Sequence, residues 1–279
     1  MCSEKTWGDF LKSSVIEEII ETGRLMAERG WAERNAGNIS LIIPPDEASK
    51  YFDLNKTGRI FRVDMDIREL SGKIILVTRT GMYFRKLKKN TASDLGVLKV
   101  SENSNELELL WGFEGGGEPT SELPMHLMGH IARLRRDPSH RVITHTHATD
   151  IIAMSAMEGF DEKGFTRALW QMHSECLIVF PDGIGLLPWM VPGTCEIAEA
   201  TAEKFNSFRL IVWPLHGVIG TGSSIDEAMG LIETVEKTAE IYLKSAGTGR
   251  PVRLISDEQL IALAEYFNIK PASGIIDGL

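Results

Sequence analysis

Short apolar, β-branched runs alternate along this chain with longer stretches of helical periodicity, and that alternation limits the folds open to it. Strand-like runs lie at Ile39–Pro44, Lys73–Thr78, Val97–Val100, Glu106–Trp111, Arg141–Ala148, Leu177–Phe180 and Phe208–Trp213. The third and fourth read as a hairpin about the polar turn Ser101–Asn105. Helical spacing marks Ile16–Ala27, the stretch after Pro124, Ala148–Met157, Phe165–His173 and the stretch after Thr194. Ser224-Ile-Asp-Glu227 and Ser256-Asp-Glu-Gln259 read as capping boxes opening two further helices. Asp46–Gly72 is charged and irregular and reads as a surface excursion, and Pro188–Gly193 as a loop. With hairpins among the strands and no internal repeat, the pattern predicts one α/β domain over residues 1–279. Its central sheet is mixed and largely antiparallel, with helices covering both faces.

Charge and cysteine content narrow the function. A net charge of −9 argues against a nucleic-acid backbone as the main partner, although a local site can still bind a small anion. Cys2, Cys176 and Cys195 cannot form a closed disulfide set and show no CxxC spacing, which points to a reducing cytoplasm. Met1–Asp9 lacks the apolar core of a signal peptide, and no apolar run approaches membrane-spanning length.

The chemistry gathers around Arg141–Ala148. Side chains alternate along a strand, so His145 and His147 share a face and can hold one divalent cation. The alternative is a polar pair on a solvated face. His216, at the end of the apolar run Phe208–Trp213 and followed by Gly217, is placed to be a third ligand. His126 and His130 are i,i+4 on a helix and form another possible pair, more simply read as packed or surface residues; His173 reads as a bystander. Glu122 can be a fourth ligand or a base, while Thr120 and Ser121 can be helix caps and Glu122 a residue favoured by the helix dipole. Two Gly-containing turns, Glu33–Asn38 and Arg79–Met82, can offer amides and hydroxyls to an anion or be plain turns. An open divalent site can stabilise an enolate or activate water, and spacing does not choose between carbon–carbon chemistry and hydrolysis.

Assembled in order, the motifs resemble the class II aldolase and adducin family. They are Glu33-Arg-Asn-Ala-Gly-Asn38, Trp111-Gly112, Pro119-Thr-Ser-Glu-Leu-Pro124, His145-Thr-His-Ala-Thr149, Ser174-Glu-Cys176, Val179-Phe-Pro-Asp-Gly183, Leu187-Pro-Trp-Met-Val-Pro-Gly193 and Trp213-Pro-Leu-His-Gly217. The resemblance implies zinc on His145, His147 and His216, one ion per subunit. It implies Glu122 as zinc ligand in the resting site and acid–base group during turnover, and Glu175 as a second acid–base carboxylate reaching the site of a neighbouring subunit. A phosphate site of Asn35, Asn38, Thr80, Gly81, Thr120 and Ser121 is likewise implied. So is a cytoplasmic, four-fold symmetric homotetramer with sites between subunits, and no nucleic-acid or membrane partner.

The implied activity is reversible cleavage of L-rhamnulose 1-phosphate to dihydroxyacetone phosphate and L-lactaldehyde, in rhamnose catabolism. Cleavage or epimerisation of a related sugar phosphate, such as L-fuculose 1-phosphate, is the alternative within the family. A non-enzymatic adducin-like interaction module is the alternative outside enzymology. Two departures stand out: Arg79 replaces a small residue in the second turn, where it can face the phosphate or point away, and Ala36 replaces a Gly in the first.

Overall fold

A computed structural model describes residues 7–56, 58–103 and 105–276, so Cys2 and Ser104 lie outside the described residues. The helices are α1 (Trp7–Phe10), α2 (Ser14–Glu28), α3 (Pro45–Ala48), α4 (Thr91–Asp94), α5 (Leu123–Arg136), α6 (Thr149–Ser155), α7 (Glu162–Met172), α8 (Ser174–Val179), α9 (Cys195–Lys204), α10 (Ile225–Ala246) and α11 (Asp257–Tyr266). The strands are β1 (Asn38–Ile43), β2 (Ile60–Arg62), β3 (Ile74–Thr78), β4 (Leu95–Val100), β5 (Glu106–Gly112), β6 (Val142–Thr146), β7 (Ile184–Leu186), β8 (Leu210–Trp213) and β9 (Gly217–Gly222).

These strands form one sheet in the order β2-β5-β4-β3-β1-β6-β9-β8-β7. Only the β7–β8 pair is parallel, so the expected mixed, largely antiparallel sheet is what the chain builds. Both faces are covered, which explains why the strand sequences run apolar without alternating: all five residues of β3 are buried. On β1, Ile39, Leu41 and Ile43 join a layer that includes Ile16, Ile19 and Met26 of α2 and Leu231, Ile232 and Val235 of α10. Opposite-facing Ile42, with Ile75 and Val77 of β3, packs toward Leu123 and Leu127 of α5. Farther along that second face, Ile143, Ile211 and Ile219 meet Met125 and Ala132 of α5 and Ile197 of α9. The central strands β1, β6 and β9 therefore lie between two helical layers.

Three local expectations need correcting, and one strand is added to them. Leu177–Phe180 is not a strand; residues 174–179 are helical. A short apolar run suits either state, and here Cys176 and Leu177 are buried in the helical layer, with Cys176 Sγ 3.0 Å from Thr238 Oγ1 of α10. The excursion Asp46–Gly72 contains edge strand β2, paired with β5. Strand β9 is invisible in the sequence because Gly217, Gly220 and Gly222 suppress strand propensity. Its glycines have a packing role: a Cβ on Gly220 would sit 2.5 Å from Ala228 O of α10. Finally, only Ser256/Gln259 completes a capping box. Ser224 does cap Glu227 N–H, but the Glu227 carboxylate instead accepts from Ser223 N–H at 2.8 Å.

Candidate metal centre and active site

Three segments converge at one end of the central strands. His145 is the penultimate residue of β6, and His147 lies one residue past it rather than within it. Both His147 N–H (2.9 Å) and Thr146 Oγ1–H (2.7 Å) donate to Trp31 O, so the exit of α2 fixes the chain as it leaves the sheet. His216 comes from the tight β8–β9 connection, where Leu215 takes a left-handed φ of 61° and turns the backbone back on itself. The His216 ring stacks on His145 with centroids 5.1 Å apart and planes 14° from parallel. Gly217 makes this approach possible, since a Cβ there would lie 2.9 Å from His145 Cε1 and 2.5 Å from Thr146 O.

Hydrogen bonding sets the tautomers. His145 Nδ1–H donates to Val218 O at 3.1 Å, which leaves Nε2 with its lone pair. His147 Nδ1–H donates to the Glu33 carboxylate at 2.8 Å, again leaving Nε2. Nε2 atoms of His145 and His216 are 3.2 Å apart, and one nitrogen from each of the three histidines falls within 4.8 Å of the others. Two nitrogens on a tetrahedral zinc ion are separated by about 3.3 Å, given Zn–N bonds of about 2.05 Å, so this donor set fits such a cation. Burial, aided by the neighbouring imidazole of His147, pushes His145 down to about 3. Burial and then His145 push His216 down to about 4. Both rings are therefore neutral ligands at neutral pH.

Glu122 faces the triad from the N-cap of α5. Its Oε2 is 3.7 Å from His145 Nε2 and its Oε1 is 3.8 Å from His216 Nε2. The side chain makes no cap bond to its helix. The capping expected of Thr120 and Ser121 is reduced to Thr120 Oγ1 accepting from Glu122 N–H at 3.3 Å. Burial raises the Glu122 pKa above the ordinary carboxylate value, opposed chiefly by a hydrogen bond from Asn38 Nδ2–H at 2.8 Å. A carboxylate made less acidic beside a cation site can both give and take a proton.

Around this centre the two Gly-containing turns adjoin. Thr80 N–H donates to Glu118 O at 3.0 Å, and Thr120 N–H to Thr78 O at 3.0 Å. Ile39 N–H bonds Thr78 Oγ1 at 3.1 Å. Residues 35–38, 78–81 and 118–122 are thus laced side by side. Asn35, Thr80, Gly81 and Ser121 are exposed there, and Thr120 is buried. Asn38, expected at a phosphate, has its side-chain amide committed to Glu122 and His126. Arg79 points away from the cradle: its guanidinium reaches the buried Asp94 at 2.8 and 3.0 Å. In the first turn Arg34 (φ 54°) and Gly37 (φ 78°) are left-handed and Ala36 is not, and the missing Cβ of Gly37 would lie 2.9 Å from His145 O.

Glu175 sits apart, exposed in the first turn of α8, and among the described residues no hydrogen bond or ion pair joins it to the triad. His126 and His130 are fully buried and share Ser40 Oγ, 2.7 Å from a ring nitrogen of each. Sequence reasoning named neither Ser40 nor Glu33 as part of the site. For Glu33 the signal was its place at the head of the Gly-containing turn.

The buried histidines carry an expected cost in acid. Burial pushes His130 from its ordinary 6.5 to about 3. Below pH 6.5 the unfolded chain therefore binds a proton that the folded chain refuses, and stability falls as pH drops toward 3. The slope is about 1.4 kcal/mol per pH unit for each such histidine. Urea midpoints at pH 7, 6 and 5 should decrease in that order, less steeply in His130→Gln. Equal midpoints would refute the buried neutral histidine.

Residues 17–243 match the Class II Aldolase and Adducin N-terminal domain family. A rhamnulose-1-phosphate aldolase of Listeria monocytogenes is 47% identical over 269 residues, covering 96% of this chain and 98% of its own. One from Enterococcus faecalis is also 47% identical, covering 96% of each chain. Among solved structures, a sugar-phosphate aldolase from Thermotoga maritima superposes with a TM-score of 0.73 at 30% identity, over 86% of this chain and 100% of its own.

Proposed function

This chain belongs to the class II aldolase and adducin family, and from that premise we propose that it cleaves L-rhamnulose 1-phosphate reversibly to dihydroxyacetone phosphate and L-lactaldehyde, with zinc on His145, His147 and His216. The observation that carries the reading is the meeting of three imidazole nitrogens with a buried carboxylate less than 4 Å from two of them. An adducin-like interaction module has no use for that arrangement. The names of the two relatives nearly half identical to this chain support the substrate.

A bound divalent cation supplies Lewis-acid stabilisation of the negative charge that develops on the ketone side of the scissile bond. The residues do the rest. Asn35, Thr80, Gly81, Thr120 and Ser121 hold the phosphate through amides and hydroxyls and so place C3 near Glu122. A base takes the C4 hydroxyl proton, the C3–C4 bond breaks, and its electron pair stays with C3. Glu122 then delivers a proton to C3, completing dihydroxyacetone phosphate; the reverse direction runs the same steps backward.

Glu175 is the proposed base at C4, acting in the site of a second copy. Its distance from contact with its own triad supports that assignment. So do Trp189 (62% exposed), Val191 (54%) and Leu215 (59%), large apolar side chains left uncovered on the segments bearing Gly193 and His216. A Cβ built on Gly193 would lie 3.7 Å from Ser121 O, so this surface borders the site. We read it as covered in a homotetramer, which solution mass would check. Glu175→Ala is expected to slow cleavage about 10²- to 10⁴-fold while leaving C3 proton exchange nearly intact. Equal losses in both assays would contradict the division of labour.

The direct test couples dihydroxyacetone phosphate release from L-rhamnulose 1-phosphate to its reduction. Cleavage should stop with a chelator and return with zinc. Absence of cleavage by zinc-replete protein, with activity on L-fuculose 1-phosphate instead, would move the substrate assignment.

A further inference from the structure

We propose that Ser40, His126 and His130 form a buried hydrogen-bond relay that locks the Asn38 amide and, through it, holds Glu122 in the geometry for proton transfer at C3. The inference rests on the acid–base role given to Glu122 above. Asn38 and Ser40 are two residues apart on β1 and so share a face; His126 and His130 are one turn apart on α5. The strand period and the helix period meet here and interleave the four side chains. Asn38 Nδ2 is 2.8 Å from Glu122 Oε2, and Asn38 Oδ1 contacts His126 Nε2. His126 Nδ1 and His130 Nε2 both lie 2.7 Å from Ser40 Oγ.

The direction of every bond follows from the far end. Asn38 donates from its NH2 to Glu122, so its oxygen faces His126. His126 Nε2 therefore carries a hydrogen. Burial holds this ring neutral, so its Nδ1 is an acceptor. Ser40 must donate to it, and can then accept from His130 Nε2–H. One atom is left over: His130 Nδ1 is buried with no hydrogen-bond partner among the described residues. That is the one place where a relay of this polarity ends with an unused lone pair.

A purely structural role explains this poorly. Polar side chains sealed between α5 and β1 cost stability unless each is satisfied, and apolar residues would fill the same space at no such cost. The relay instead ends on Glu122, among the described residues the one buried carboxylate facing the histidine triad. Asn38 reversed would set its oxygen against that carboxylate, and the relay prevents the reversal.

The test uses the full-length, zinc-loaded protein and two readouts, cleavage kinetics and C3 exchange. Ser40→Ala is expected to lower kcat and exchange about 10-fold, with KM and bound zinc unchanged. In a Glu122→Ala background the same change should add nothing, because the relay acts only through Glu122. His130→Leu should reproduce the kcat loss while His130→Gln, which retains an N–H donor, should restore most of it; this pair decides the matter should Ser40→Ala fail to fold. Wild-type kcat in Ser40→Ala or His130→Leu overturns the proposal. So does an equal loss with and without Glu122, which marks a merely structural effect. Unimpaired exchange in Glu122→Ala alone overturns the acid–base reading, and the relay with it.

Discussion

Glu122→Ala is expected to keep the fold and slow proton exchange at C3 of dihydroxyacetone phosphate by about 10²- to 10⁴-fold. The fold survives because this side chain makes no cap bond to α5 and its burial raises its pKa, so the folded state gains little by holding it charged. The chemistry does not survive, because among the described residues no other carboxylate approaches the triad so closely from within the buried layer: Glu33, the other acid seen on these histidines, meets the outward Nδ1 of His147 and is 60% exposed. Exchange isolates the step, since it needs only dihydroxyacetone phosphate and no aldehyde. Deuterium uptake at C3 followed by NMR, with circular dichroism to check the fold, is the measurement. Wild-type uptake would remove Glu122 from its role even if cleavage fell.

His216→Ala should lose stoichiometric zinc and reduce cleavage by at least about 10³-fold, the equivalent of several kcal/mol of charge stabilisation at the transition state. His145 and His147 would remain with Glu122 beside them, but Glu122 would then have to stand in as a permanent ligand, so the ion is held less tightly and its acid–base group is tied up. The ring lies in a turn and is partly exposed, so its removal should leave the β8–β9 hairpin in place. Zinc per subunit, measured on gel-filtered protein, decides the matter. Full zinc content would assign the ion to other residues; His126 and His130 are poor substitutes, because their facing nitrogens are already engaged by Ser40 and Asn38.

What could be read from the sequence is what depends on neighbours a few residues away. β1, β3, β6 and β8 announce themselves as apolar runs because both sheet faces are buried. The helix starts at Ser224 and Ser256 follow from a side chain bonding a backbone amide three residues on. The histidine pair at 145 and 147, and a third histidine at a strand end, could be picked out by spacing and position alone.

Other features were decided by register between distant segments. β9 carries little strand signal in its glycine-rich sequence, and it is a strand because β6 and β8 flank it and α10 needs its missing side chains. The run after Cys176 could have been either kind of element, and contact with α10 made it a helix. Arg79 turns from the paired Gly-containing turns because Asp94, buried and fifteen positions away, takes its charge. Asn38 meets Glu122 across 84 positions, and Ser40 meets His130 across 90. No local pattern encodes such pairs: each arises only when the pleat of β1 is laid against the turn of α5, and that alignment is set by the packing of the whole sheet.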